Sequence, residues 1–373
     1  MGTEPVIETV NAYIVDIPMK RPHVMSFGAP TEVNFVLVRV QARGGIVGWG
    51  EAATFQGPTW SEESAETIHV VIDRYLAPLL KGRNALLYNP LMEELEQRFR
   101  GNSFAKAAVE MALLDVAGRY LGQPLHVILG GAFRMKLDLS WSLASGRLET
   151  DIAEARDMMS RGHRIFKIKM GAGAVEKDVA NLARLRRELG PEVGLRADVN
   201  QGWDRQSALR ALRKLEESRP DFLEQPLPKW DLAGLSELRH KSAIPLMADE
   251  SLSDAHSALD IINKGAADIL SYKLTKLGGL TRSLAVYHLA AGAGLGAYIG
   301  CMIETSLGTA AYLHFGSVLP KLDYGCELFG PLLLAGDIAA QPVTYEDGRV
   351  LVPEGPGLGI DVDEAQVEKY RRG

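Results

Sequence analysis

Three observations on the sequence predict an α/β fold in which a (β/α) barrel carries a separate α+β cap. First, short continuous apolar runs recur at Leu137–Ser145, Ile165–Met170, Gly194–Asn200, Phe222–Gln225, Pro245–Glu250, Ile269–Leu274 and Ala297–Ile303, with an eighth near Leu322–Leu328. Each reads as a strand buried on both faces. The step of roughly 25 residues is that of one strand-plus-helix unit. Second, the first third of the chain lacks this rhythm. Third, charged residues stand at the ends of six of the runs, where a barrel of this kind carries its chemistry.

The N-terminal elements follow in order. Ile7–Ile17 and Asn34–Val40 are rich in β-branched residues and read as strands. Gly44-Gly45 turns the chain, and Ile46–Glu51 returns as a third strand of a meander. Between the first two lies Pro18–Pro30, too long for a hairpin turn and therefore a candidate functional loop. Helical patterns follow at Ser61–Leu79, Asn89–Arg98 and Ser103–Leu121, and Gly122-Gln-Pro124 stops the last of them. After the eighth run the chain turns Pro- and Gly-rich, from Gly330 to Gly359. The expected organisation is a modified TIM (β/α)-barrel at 126–327. Its capping domain is built from 1–125 together with 328–373, which returns to it.

Composition narrows the function. The chain has 373 residues, 46% hydrophobic and 24% charged, with a formal net charge of −6. No basic stripe is available for phosphates, which argues against nucleic acid as a partner. Two cysteines, Cys301 and Cys326, exclude a disulfide framework and make a reducing cytoplasm the default location. Met1–Glu8 shows no secretory pattern, and no stretch reaches the roughly 20 apolar residues of a membrane helix.

The strand ends carry the argument further. Asp198, Glu224 and Asp249 fall on three successive runs and are expected to converge. Hard oxygen ligands of this kind suit one divalent ion, Mg²⁺ or Mn²⁺. Lys167 and Lys169, two apart on one strand, point to the same face. Two ammonium groups held together are expected to lower each other's pKa, which would suit acid–base work near neutral pH. Lys273 lies about four strands further round and approaches from the opposite side. Carboxylates salt-bridged to neighbouring lysines, with no metal, are the plain alternative. A carbon acid next to a carboxylate is weak, so its enolate needs strong electrostatic stabilisation. A divalent cation supplies that, and lysines on either face move the proton.

These residues resemble a known family. Lys167-Ile-Lys169, Asp198-Val-Asn200, Glu224-Gln-Pro226, Asp249-Glu250 and Lys273 within Tyr272–Gly279 are similar to the enolase superfamily, in the subgroup named for muconate lactonizing enzyme. The resemblance runs almost end to end and includes Asn102–Lys106, Trp141–Gly146 and Gly325–Pro331. It implies Asp198, Glu224 and Asp249 as metal ligands, and Asn200 and Glu250 as supporting positions around the metal. It implies Lys169 as the acid/base, Lys167 as its electrostatic partner, and Lys273 on the opposite face. Glu327 and Phe329 are implied to face the pocket. The loops near His23–Phe27 and Thr54–Trp60 are implied to close over substrate, so His23, Met25 and Phe55 join the candidate contacts, and Ser142 joins them because the strand-one run around it also fits the muconate type. An octameric homo-oligomer acting on a small carboxylate is the family expectation.

The leading expectation is cycloisomerisation of a dicarboxylate of the muconate type. The alternative is racemisation or epimerisation of an N-substituted amino acid or betaine by two opposed lysines. Strand seven, Gly300–Glu304, lacks the Asp-x-Asp of dipeptide epimerases and the histidine of mandelate racemase relatives. A Schiff-base aldolase would leave the carboxylates unused, and a retired enzyme would have no reason to keep them. Other residues have plain roles. Cys301 and Cys326 read as buried fillers, His163, His240, His288 and His314 as helix or loop residues, and Trp49 and Trp141 as core. Phe55 and Trp60 are pocket wall or core.

Overall fold

The computed structural model describes residues 4–373. The first three residues of the Met1–Glu8 segment and of the predicted cap lie outside the described residues. The meander is present as β1 (Ile7–Pro18), β2 (Glu32–Ala42) and β3 (Ile46–Thr54), an antiparallel sheet in sequence order. Pro18 pairs with Glu32, and Asn34 with Thr54. The loops after β1 and after β3 therefore leave from the same end of the sheet.

Helix Ser103–Leu121 is buried from Phe104 to Gly118 and lies on β2 and β3. Its rows of alanine permit close approach. A Cβ on Gly48 would sit 2.5 Å from the Ala112 carbonyl oxygen, and one on Gly50 2.0 Å from that of Ala108. Gly122 ends the helix in the left-handed conformation at φ 64°, as its sequence position predicts. Ala65–Leu80 forms a second helical stretch with a widened turn at Ile72–Leu76.

The rest of the chain begins with β4 (Lys136–Asp138) and β5 (Trp141–Leu143). Then come β6 (Ile165–Lys169), β7 (Gly194–Asp198), β8 (Leu223–Glu224), β9 (Leu246–Ala248), β10 (Ile269–Tyr272) and β11 (Gly296–Ile299). Among the described residues β5 to β11 form one parallel sheet in sequence order. The eighth run closes the ring through a single residue, Cys326, bridged to Leu139 on one side and Ile299 on the other. The Glu327 amide donates to the Ile299 carbonyl at 3.0 Å, and that of Ser140 to the Cys326 carbonyl at 2.7 Å. This is a closure too short to count as a strand. The surrounding helices are amphipathic. Arg205–Glu217, for instance, buries Ala208, Ala211, Leu212 and Leu215 and leaves its arginines outside. No described helix is long and apolar enough to cross a membrane.

Residues 328–373 do not run to the N-terminal unit alone. The hairpin of β12 (Tyr345–Glu346) and β13 (Arg349–Leu351) pairs with β4. Among the described residues β4 is the edge strand of that small sheet, and the Asp138 carbonyl at its end also accepts from the Cys326 amide at 2.9 Å. The chain reaches the meander elsewhere. The Lys20 amide donates to Leu333, that of Ala335 to Pro18, and that of Arg372 to Ile14. Two carboxylates from the N-terminal unit also cap barrel helices. Glu51 accepts from the Thr305 and Gly308 amides at the start of Ser306–Ser317, and Glu110 from those of Leu280 and Thr281 at the start of Leu280–Gly292.

Candidate active site

Strand order brings the charged strand ends together. β6 pairs with β7 so that Lys169 lies beside Asp198, and β7 with β8 so that Asp198 lies beside Glu224. Asp249 follows one residue after β9, and Lys273 one after β10. Asn200 and Gln225 turn the chain sharply after their strands, at φ 44° and 34°. Asn and Gln bear this conformation less well than glycine, and such strain collects at functional sites.

All three candidate metal ligands are buried and each leans on a lysine. Lys169 Nζ is 2.6 Å from Asp198 Oδ2 and 3.2 Å from Asn200 Oδ1. Lys167 Nζ is 2.7 Å from Glu224 Oε2, 2.5 Å from Glu327 Oε2 and 3.2 Å from Asp198 Oδ2. Lys273 Nζ is 2.7 Å from Asp249 Oδ2. Asn200 Nδ2 donates to Glu250 Oε1 at 3.2 Å.

These contacts correct one expectation. Lys167 was expected to have a lowered pKa from Lys169 beside it. Burial does press it down, but Glu224 and Glu327 outweigh that and raise it well above the ordinary lysine value. Burial likewise opposes, and Asp249 and Glu250 outweigh, in raising Lys273. Carboxylates, not the neighbouring ammonium, are the closer charges. On the acid side, Lys169 and Lys167 overcome burial to hold Asp198 at about 2. Glu224 is pushed up to about 8 by burial and by Asp198, and Glu250 to about 7 by burial and by Asp249.

The donor set fits a divalent cation. Glu224 Oε1 and Glu250 Oε2 are buried with no hydrogen-bond partner, and the buried carboxylates repel one another. A hard cation satisfies both conditions. Among the described residues no three His, Cys, Asp or Glu side chains stand together at metal-holding spacing.

A small chamber of about 20 Å³ lies over these groups. His23, Met25, Phe55, Lys169, Lys273, Glu327 and Phe329 line it, with Asn200 at its floor. Ser142 is the exception: it lies behind His23, its Oγ 3.5 Å from His23 Nε2. His23 stacks on Phe329 at 6.0 Å. Burial and the Lys169 charge hold its pKa well below 6.5, so it is a neutral imidazole with an unpartnered Nδ1. The two cap loops meet overhead, Phe27 against Phe55 at 6.4 Å. Ser26 Oγ donates to the Asn200 carbonyl at 2.6 Å and ties the first loop to the barrel. A larger hollow of about 310 Å³ near Arg239, Pro245 and Asp268 lies at the other ends of the strands and carries none of this chemistry.

Sequence reasoning assigned no site role to Cys301, Ile303, Gln225 or Lys276, and left Trp60 undecided. Cys301, Ile303 and Trp60 line the chamber. Ile303 does so at φ 61°, a costly angle for a β-branched residue. Gln225 Oε1 accepts from the Asp249 and Ser251 amides at 3.0 and 3.2 Å and fixes the end of β9. Lys276 Nζ grips Asp249 at 2.6 Å. The run Tyr272–Gly279 contained the signal for Lys276, a lysine three residues after Lys273.

Comparison with known proteins agrees with this geometry. Residues 9–130 match the model described as mandelate racemase / muconate lactonizing enzyme, N-terminal domain, and residues 150–366 the one described as enolase C-terminal domain-like. Muconate cycloisomerase 1 of Rhodococcus opacus is 40% identical over 371 residues, covering 99% of this chain and 100% of that protein. A chloromuconate cycloisomerase of Delftia acidovorans is 40% identical over 98% of this chain and 99% of its own. The crystal structure of muconate lactonizing enzyme from Pseudomonas fluorescens complexed with muconolactone superposes with a TM-score of 0.97 at 42% identity, covering 99% of this chain and 100% of that one. That of the Pseudomonas putida enzyme gives 0.94 at 40%, covering 98% and 100%. The chain belongs to the mandelate racemase / muconate lactonizing enzyme family.

Proposed function

We propose that this protein is a cycloisomerase of the muconate lactonizing type. The observation that carries the reading is the placement of Lys169 and Lys273 on one chamber, above three buried carboxylates, in a chain alike over its full length to muconate and chloromuconate cycloisomerases.

In this reading one carboxylate oxygen of cis,cis-muconate adds to the carbon β to the other carboxylate. Negative charge then runs into that second carboxylate as an enolate. Lys169 Nζ donates its proton to the α carbon, which quenches the enolate and leaves the lactone as product. Lys167, bound to Glu224 and Glu327, keeps its charge and steadies the enolate beside Lys169. Lys273 stabilises charge from the opposite wall. Neutral His23 offers a hydrogen bond without adding charge. Met25, Phe55 and Phe329 exclude water, so that the enolate meets the lysine proton first. Asp198, Glu224 and Asp249 would hold one Mg²⁺ or Mn²⁺, supported by Asn200 and Glu250, and the ion supplies electrostatic stabilisation of the substrate carboxylate.

Several further features belong to the same reading. The capping unit is residues 1–125 with 328–373, of which the hairpin at 345–351 also joins β4, and the barrel is 126–327. The chamber is too small for a six-carbon diacid, so the Phe27 and Phe55 loops part for entry. Self-association as an octamer puts exposed side chains such as Phe133 and Trp230 at subunit contacts.

Proton NMR in D₂O with Mn²⁺ or Mg²⁺ tests the function. Conversion of cis,cis-muconate to a lactone carrying one deuterium is expected. If muconate is untouched and an α-proton washes out of an N-acyl amino acid or a proline betaine, the two lysines run a racemase instead.

A further inference from the structure

Two lysines three residues apart hold Asp249, and only one of them faces the chamber. Lys273 Nζ contacts Asp249 Oδ2 at 2.7 Å and lines the chamber. Lys276 Nζ contacts Oδ1 at 2.6 Å and, at the same distance, the main-chain carbonyl oxygen of Asp249. The short helical turn Leu274–Leu277 that follows β10 sets residues 273 and 276 almost one turn apart. Both side chains can therefore run to one carboxylate. Lys276 is 5% exposed. It borders a separate cavity of about 80 Å³ with Glu63, Lys229 and Ser253, on the other side of Trp60.

A second buried ammonium on one carboxylate is costly, since one lysine already neutralises it. The two lysines do different things, however. Lys273 holds one oxygen. Lys276 holds the other oxygen and the backbone, and so restricts both the rotation of the carboxylate and the position of the strand end. Lys273 lines the chamber that a substrate would enter, and Lys276 does not.

We propose that Lys276 is the positioning residue for Asp249. It keeps the carboxylate aimed at the cation and leaves Lys273 free to act on substrate. The proposal rests on the reading of Asp198, Glu224 and Asp249 as metal ligands.

The sign of one measurement decides it. Removing a positive charge beside a divalent ion raises affinity if charge is all that matters, and lowers it if Lys276 orients the ligand. Mn²⁺ binding is titrated by electron paramagnetic resonance in the wild type, Lys276→Met, Lys276→Gln and Asp249→Asn, each checked for fold by circular dichroism. Lys276→Met is expected to bind Mn²⁺ roughly ten- to a hundred-fold more weakly, as do other losses of a ligand's support. Lys276→Gln, which keeps a donor for the carbonyl, is expected to lose less. Turnover of the Met variant is expected to climb back toward wild type as Mn²⁺ is raised. Unchanged or tighter Mn²⁺ binding in both variants overturns the proposal. Loss of fold in both also overturns it, in favour of a purely structural role. If Asp249→Asn leaves Mn²⁺ binding unaltered, the metal reading has failed and takes the proposal with it.

Discussion

Lys169 Nζ and Asp198 Oδ2 lie 2.6 Å apart. The candidate proton donor thus rests on a candidate metal ligand. Lys169→Ala removes the donor but no ligand. Turnover is expected to fall by roughly 10² to 10⁴, the usual worth of a general acid, with fold and Mn²⁺ binding kept. Steady-state kinetics beside a Mn²⁺ titration check both halves, and a variant of near-normal rate would falsify the acid assignment.

Glu224 has one oxygen on Lys167 and one with no partner. Glu224→Gln keeps the shape and removes the charge. Mn²⁺ affinity is expected to drop by at least about tenfold, comparable to the loss of an outer support. An unchanged titration would remove Glu224 from the ligand set.

Lys273→Ala separates the two activities. A cycloisomerase that uses Lys273 only to stabilise charge is expected to keep measurable turnover of muconate. A two-base racemase loses all racemisation of its substrate, because no proton then reaches one face, while Lys169 still exchanges the α-proton of the enantiomer it faces. Muconate turnover and α-proton wash-out, measured on the same preparation, distinguish these.

His314 provides a pH prediction away from the chemistry. Its Nδ1 is 3.3 Å from both the amide and Nδ1 of His126, and its Nε2 is 3.1 Å from the Leu358 carbonyl. Burial holds its pKa at about 4, against an ordinary 6.5. The unfolded chain therefore binds a proton here between those values and the folded chain does not. The stability contribution is complete above pH 6.5 and is lost as pH falls from there toward 4, at up to ~1.4 kcal/mol per pH unit. Burial lowers His126 in the same direction. Urea midpoints of the wild type are expected to fall more steeply across this window than those of His314→Gln. Parallel curves would show that the group contributes nothing.

Gly50 tests the packing of the cap. A Cβ there meets the Ala108 carbonyl oxygen at 2.0 Å and the Ala112 amide nitrogen at 2.7 Å. Neither is the end of a flexible side chain, so the helix and strand must part. Gly50→Ala is expected to destabilise by about 1–3 kcal/mol or more, seen as a lower thermal midpoint. An unchanged midpoint would mean that the sheet and helix slide apart at no cost.

Part of the site was legible in the sequence because strand ends are local. Lys167, Lys169, Asp198, Glu224 and Asp249 each close a short apolar run, and a parallel barrel brings such ends together whatever the loops do. Helix Ser103–Leu121 was legible to the residue, since Gly122 stops it. Ser142 stands behind His23, a contact between residues 119 apart in the chain that no strand pattern gives. The lysine pKa was misjudged for a related reason. Spacing showed that Lys167 neighbours Lys169, but not that Glu224 and Glu327 come closer still.

By itself the sequence determined the periodic parts of this protein: the repeating strand-and-helix step, the meander before it, and the set of charged residues at the strand ends. These follow from side-chain alternation and from local stop signals, which act within a few residues. Only the tertiary structure decided which lysine grips which carboxylate, that Cys326 closes the ring by single bridges, and that Phe27 and Phe55 meet over the chamber. It also decided that Lys276 holds Asp249 from outside. Those relations join residues far apart in the chain, and their energies depend on distances of an ångström or less, which no local pattern encodes.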